Sequence, residues 1–266
     1  MRDATLVSND ISHRREALMY TLINNTIGKI IRFKERMKYF PISYNFIDEM
    51  HKKAILDSVD YAYEFFGQAA YRNTREDLWE YCLDVSKISN DKIENRSKTI
   101  ILEFGVWKGE SINYFGKKCP QAEIIGFDSF TGLHEEWSGV VINKGDASKD
   151  GIYKKQAFDV EGKLPKVPPN VKLIKGYFQE TLPNFSLGSK ITIMHIDCDT
   201  YDSTIYVLNK FAKNLVKGSI IIFDEYFGFN NWRSHEHKAL IDFSHINKKQ
   251  FKYIVYTSVH VAVQII

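Results

Sequence analysis

"TIILEFGVWKGESINYF", residues 99–115, decides the fold. A β-rich apolar run carrying one acid, Glu103, meets two glycines, Gly105 and Gly109, and Ser111 then opens an apolar-periodic stretch. Strand, tight turn and helix in that order begin an α/β unit. Four more runs have the same character: "EIIGFD" (123–128), "VKLIKG" (171–176), "ITIMHID" (191–197) and "SIIIFD" (219–224). Such continuous apolar runs suit strands covered on both faces, as in parallel sheets. Between the last two, "STIYVLNKFAKNLVKG" puts Leu208, Phe211, Ala212 and Leu215 on one helical stripe, with Gly218 as its stop, so a right-handed β-α-β unit is predicted. The tail "FKYIVYTSVHVAVQII" (251–266) predicts an edge hairpin whose strands are separated by "TS".

Upstream of residue 98 the patterns are helical. In "REDLWEYCLDVSKI" (75–88), Leu78, Tyr81, Cys82 and Val85 recur at helical spacing. The expected organisation is a helical N-terminal extension and cap over 1–97, followed by an α/β domain over 98–266. The region 138–170, with "NKGDASKDG" and "LPKVPPN", reads as a turn-rich insertion beside the substrate opening.

With 266 residues, 44% of them hydrophobic, the chain can bury one sizeable core. A formal charge of +3, spread along the sequence, makes no demand for a nucleic-acid partner. Three cysteines, Cys82, Cys119 and Cys198, lack metal or disulfide spacing, so a reduced, cytoplasmic protein is expected. No run approaches 18 uncharged apolar residues, which argues against stable membrane insertion. The basic stretch "KIIRFKERMK" (29–38) reads as a solvated helix face in preference to an anionic-surface anchor. A homo-oligomer is compatible with all of this.

In an open parallel sheet ligands bind beyond the carboxyl ends of the strands. There Gly105 and Gly109 let the backbone turn tightly against a ligand, Ser111 is placed to cap the next helix, and Glu103 offers an acceptor to a cation or an N–H donor. The spacing ExGxxxG departs from the GxGxxG of dinucleotide sites and sets a carboxylate where phosphates would be repelled. Asp128, at the end of the second run, is positioned to accept from ribose hydroxyls. A nucleoside-bearing ligand with a positive centre fits, and S-adenosylmethionine is one. Asp197, Asp224 and Glu225 end two further runs. Three carboxylates at one rim repel each other unless a cation such as Mg2+ sits among them. Asp199 or Asp202 reads as a cap of the following helix. His195, His235 and His237 read as hydrogen-bonded or surface groups, which leaves the proton-accepting role on Asp197. The aromatic stretch "EYFGFNNW" (225–232) is expected to close around a substrate ring.

Five ordered motifs, "LEFGVWKGESINYF", "GFDSFTGL", "LIKGYFQETLP", "HIDCDTYDST" and "IIFDEYFG", together resemble the class I S-adenosylmethionine methyltransferases related to macrocin O-methyltransferase, which modify sugar hydroxyls. The resemblance runs from about residue 75 to the end. It implies a doubly wound, mostly parallel seven-stranded Rossmann-like sheet with a helical cap, and Mg2+-assisted methyl transfer to a hydroxyl of a small-molecule or glycan substrate. It also implies that Glu103, Gly105 and Gly109 form the cofactor turn, Asp128 the ribose acid, and Asp197, Asp224 and Glu225 the metal carboxylates. Glu225 departs from the Asp often found there. The alternative function is a noncatalytic nucleoside-binding or assembly protein on the same fold.

Overall fold

A computed structural model describes residues 26, 29, 43–86, 99–138 and 152–266; the stretch 29–38 lies outside them except for Lys29. Two compact units are distinguished, Met1–Met50 and His51–Ile266, and the second carries the sheet. Its elements run α1 (Ser43–Phe65, entering from the first unit), β1 (Ala70–Tyr71), α2 (Arg75–Val85), β2 (Ile100–Phe104), α3 (Glu110–Lys118) and β3 (Glu123–Asp128). A two-residue pair follows, β4 (Trp137–Ser138) with β5 (Ile152–Tyr153), then β6 (Val171–Lys175), α4 (Phe178–Thr181), β7 (Ile193–Ile196), α5 (Tyr201–Lys210) and β8 (Ile220–Phe223). The chain ends with α6 (Glu236–Asn247), β9 (Phe251–Tyr256) and β10 (Val261–Ile265).

The sheet order is β1-β9-β10-β8-β7-β2-β3-β6. The run β8-β7-β2-β3-β6 is parallel throughout, and β9–β10 is an antiparallel hairpin laid against β8. Seven strands are therefore those the sequence predicts, and the two-residue β1 adds an eighth, parallel to β9. Strands β2, β7 and β8 are buried at every position, which explains their unbroken apolar runs. Leu208, Phe211 and Leu215 are buried as the stripe requires, but α5 ends at Lys210 and the chain reaches Gly218 through turns.

The segment between α1 and β2 is tied to the sheet. Thr74 caps α2 by accepting from Asp77 N at 3.1 Å, and α2 buries Leu78, Trp79, Cys82 and Leu83. The Tyr61 hydroxyl meets that of Tyr253 in β9 at 2.7 Å, and Tyr253 meets Tyr226 at 2.6 Å. "EYFGFNNW" proves to be core: Tyr226, Phe229 and Trp232 are buried, and His237 packs edge-on against Tyr61 and Trp232. The expectation that these rings enclose a substrate is corrected, because their apolar area is already used against α1 and β9. Among the described residues no helix is long and apolar enough to cross a membrane.

Candidate active site

A cavity of about 250 Å3 opens where β2, β3, β7 and β8 end. Gly105, Asp128, Asp197 and Asp224, the residues closing or directly following those strands, all line it. The parallel topology thus gathers residues far apart in sequence.

The glycine turn is fixed by two crowded contacts. Gly105 has φ +88°, and a Cβ there would lie 1.6 Å from the Asp197 carbonyl oxygen, so any other residue would separate the β2 and β7 ends. Gly109, at φ +82°, is the N-cap of α3, and a Cβ on it would press on Pro165 at 2.9 Å. Ser111 is consequently not the cap. It lies within the first turn of α3, where its hydroxyl donates to Glu103 Oε1 at 2.9 Å. Glu103 itself is wholly buried beneath the turn, with its other oxygen 3.5 Å from His195 Nδ1, so its carboxylate faces the sheet interior and is not part of the cavity lining. Burial raises its pKa, opposed by His195 and Ser111.

Asp128 lines the cavity but spends most of its hydrogen-bonding capacity on the chain. Its Oδ2 accepts from Val106 N and Trp107 N, each at 2.7 Å, and its Oδ1 accepts from Phe130 N at 2.5 Å. A carboxylate has about four lone-pair sites, so about one is left for a ligand hydroxyl. These bonds hold Trp107 at φ +45° and Phe130 at φ +57°, left-handed values that such bulky residues otherwise avoid.

In the same cavity, oxygens of Asp197, Asp199 and Glu225 lie within 4.8 Å of one another. Asp224 borders this set without joining it; its Oδ1 faces His260 Nε2 at 3.5 Å and His195 Nε2 at 3.8 Å. Of the expected trio, Asp197 and Glu225 converge, together with Asp199, while Asp224 lines the same cavity beside them. Asp199 is not the helix cap either. Thr200 is, its hydroxyl accepting from Ser203 N at 3.4 Å, while Asp199 is held at φ +62°. Burial, then repulsion from Asp224, pushes the Asp199 carboxyl up to about 7 and drives those of Asp197 and Glu225 well above the ordinary range. Below them Glu236, fully buried, accepts from Glu225 N at 3.1 Å and steadies the loop that presents Glu225.

Such a set wants positive charge. Glu225 Oε2 is buried with no hydrogen-bond partner, as befits a ligand oxygen awaiting a cation, and three carboxylates with open positions suit a hard divalent ion. Residues not anticipated as part of the site also line the cavity: Arg75 from α2, Trp107, and Tyr177, Phe178 and Gln179 after β6. The pairing of Thr200 with Ser203 could have identified the true cap and released Asp199; nothing in the sequence marked Arg75. His235 and His237 do not line the cavity, and burial lowers the His237 pKa to about 4.

A family model described as macrocin-O-methyltransferase matches residues 30–248, and the chain belongs to that family of O-methyltransferases. No match was found among curated proteins. Among solved structures, a calicheamicin methyltransferase, CalS11, is similar at 20% identity over 73% of this chain and 94% of its own, with TM-score 0.46. The O-methyltransferase NovP is similar at 18% identity over 84% and 98%, with TM-score 0.47. An O-methyltransferase from Bacillus cereus in complex with SAH shows 12% identity over 82% and 90%, with TM-score 0.40.

Proposed function

We propose that this family member transfers a methyl group from S-adenosylmethionine to a hydroxyl of a sugar or glycosylated metabolite, assisted by a divalent ion such as Mg2+ held by Asp197, Asp199 and Glu225. One observation carries the reading: a glycine turn braced by Asp128 and a convergent, cation-seeking carboxylate set line a single cavity. In this reading residues 1–97 act as the cap and 98–266 as the catalytic domain, with Arg75 reaching the cavity from the former.

When bound, the ion supplies positive charge that lowers the pKa of the acceptor hydroxyl, and the donor supplies a methyl on a sulfonium. The remaining work belongs to the chain. The 105–107 turn brings backbone to the donor without Cβ obstruction, and Ser129, Tyr177 and Phe178 flank the nucleoside. Asp128 gives its remaining acceptor position to the ribose. Asp197, directly following β7, accepts the acceptor's proton. Alignment of the two reactants in this walled cavity supplies much of the acceleration.

The test supplies labelled donor with vicinal-diol sugars, their singly deoxygenated analogues, catechols and small carboxylic acids. Label is expected on the diols, falling in excess EDTA and returning with Mg2+, and S-adenosylhomocysteine is expected to raise the melting temperature by mass action. Undiminished turnover in EDTA would remove the ion, and transfer confined to carboxylic acids would remove the hydroxyl acceptor.

A further inference from the structure

Among the described residues Arg75 is the one Lys or Arg lining the cavity, in company with Asp128, Asp197, Asp199, Asp224 and Glu225. Its place is set by the backbone: β1 pairs with β9, Thr74 caps α2, and Arg75 is the first residue of that helix. The guanidinium lies 5.2 Å from the Trp79 ring centroid, with Nη2 2.6 Å from Glu110 Oε2 and Nε 3.3 Å from Glu76 Oε1. The closest contacts of these two ion pairs run through Nη2 and Nε. Glu110 is 72% exposed, so its hold is that of a surface ion pair, readily exchanged for another carboxylate.

The position along the cavity matters as much as the charge. Ser129 and Tyr177–Gln179 stand over β3 and β6, whereas Arg75 contacts the first residue of α3, just past the glycine turn that follows β2. A donor with its nucleoside over β3 directs its amino-acid end across Gly105 toward that helix start. That end carries an ammonium and a carboxylate. Five acids in the cavity suit the first and repel the second, and among the described residues that line it Arg75 alone offers the second a guanidinium with planar, two-pronged geometry.

We propose that Arg75 binds the carboxylate of the methyl donor's amino-acid moiety and so sets the polarity in which the donor enters. The inference rests on the donor reading above, and a pair of ligands separates the two. S-adenosylhomocysteine carries the carboxylate; 5′-methylthioadenosine keeps the nucleoside and thioether without it. Calorimetry on the full chain, Arg75→Ala and Arg75→Lys should show Arg75→Ala weakening S-adenosylhomocysteine about 10- to 100-fold while 5′-methylthioadenosine changes by less than about twofold. Arg75→Lys should fall between, since it keeps the charge and loses the fork. Unchanged S-adenosylhomocysteine affinity in Arg75→Ala, or equal weakening of both ligands, overturns the Arg75 assignment while the donor reading stands. Failure of the unmodified chain to bind either ligand overturns both.

Discussion

Two carboxylates line one cavity and live under opposite conditions. Asp128 receives three backbone N–H groups, whereas Glu225 Oε2 is buried with no donor at all. Both are acids beside strand ends, and sequence alone treats them alike. The saturated one is chiefly scaffolding, because its charge is consumed in holding residues 106, 107 and 130. The starved one, with Asp197 and Asp199, belongs to the set proposed to hold a cation. Hydrogen-bond supply, more than position, separates an acid that shapes a site from one that acts in it.

Substitution in the starved set should produce the largest effect. Asp199→Asn keeps shape and removes charge, so turnover should fall about 10²- to 10³-fold, roughly 3–4 kcal/mol of barrier, while S-adenosylhomocysteine affinity measured with divalent ions chelated is kept. Equal loss of turnover and affinity would show that the starved set and the saturated acid do not divide the labour. At the saturated acid, Asp128→Ala strips three N–H groups of a charged acceptor and should lower unfolding stability by about 3 kcal/mol in denaturant titration. A stability change under about 0.5 kcal/mol would mean that Asp128 is not scaffolding.

The smallest effect concerns stability in the starved set, and its sign is opposite. The Asp199 carboxyl titrates near 7 in the folded chain and in the ordinary carboxylate range when unfolded. Between those values the folded state holds the extra proton, so the group's stabilising contribution is full below the unfolded pKa and is lost as pH rises through about 7. With divalent ions chelated, the protein should therefore melt at a lower temperature at pH 8 than at pH 5. Asp199→Asn should flatten that profile and be more stable at pH 8 by about 1–2 kcal/mol. A variant less stable than its parent at pH 8 would contradict the repulsion account.

Much of this was legible in the sequence because buried parallel strands write themselves as unbroken apolar runs. "IILEF", "IMHI" and "IIIF" announced β2, β7 and β8, and hence the rim where the acids gather. What the sequence hid was the direction of side chains at that rim. Glu103 and Asp128 occupy the anticipated positions, yet Glu103 turns under the sheet to Ser111 and His195, and Asp128 turns back on the chain. Asp199 escaped because its left-handed backbone, which swings it toward Asp197 and Glu225, is set by tertiary packing and leaves no local signature. Two-residue β1 is too short for any periodicity, although it fixes the start of the helix that delivers Arg75.

The missing side chain at Gly105 carries one more consequence. With the Asp197 carbonyl where a Cβ would stand, the donor's turn and the strand end bearing a proposed metal ligand form a single mechanical joint. Whatever settles on the turn lies against the backbone of Asp197. By thermodynamic reciprocity, any factor by which donor tightens ion is also the factor by which ion tightens donor. The two ligands then arrive as correspondents rather than strangers, and the missing methyl group is the line between them.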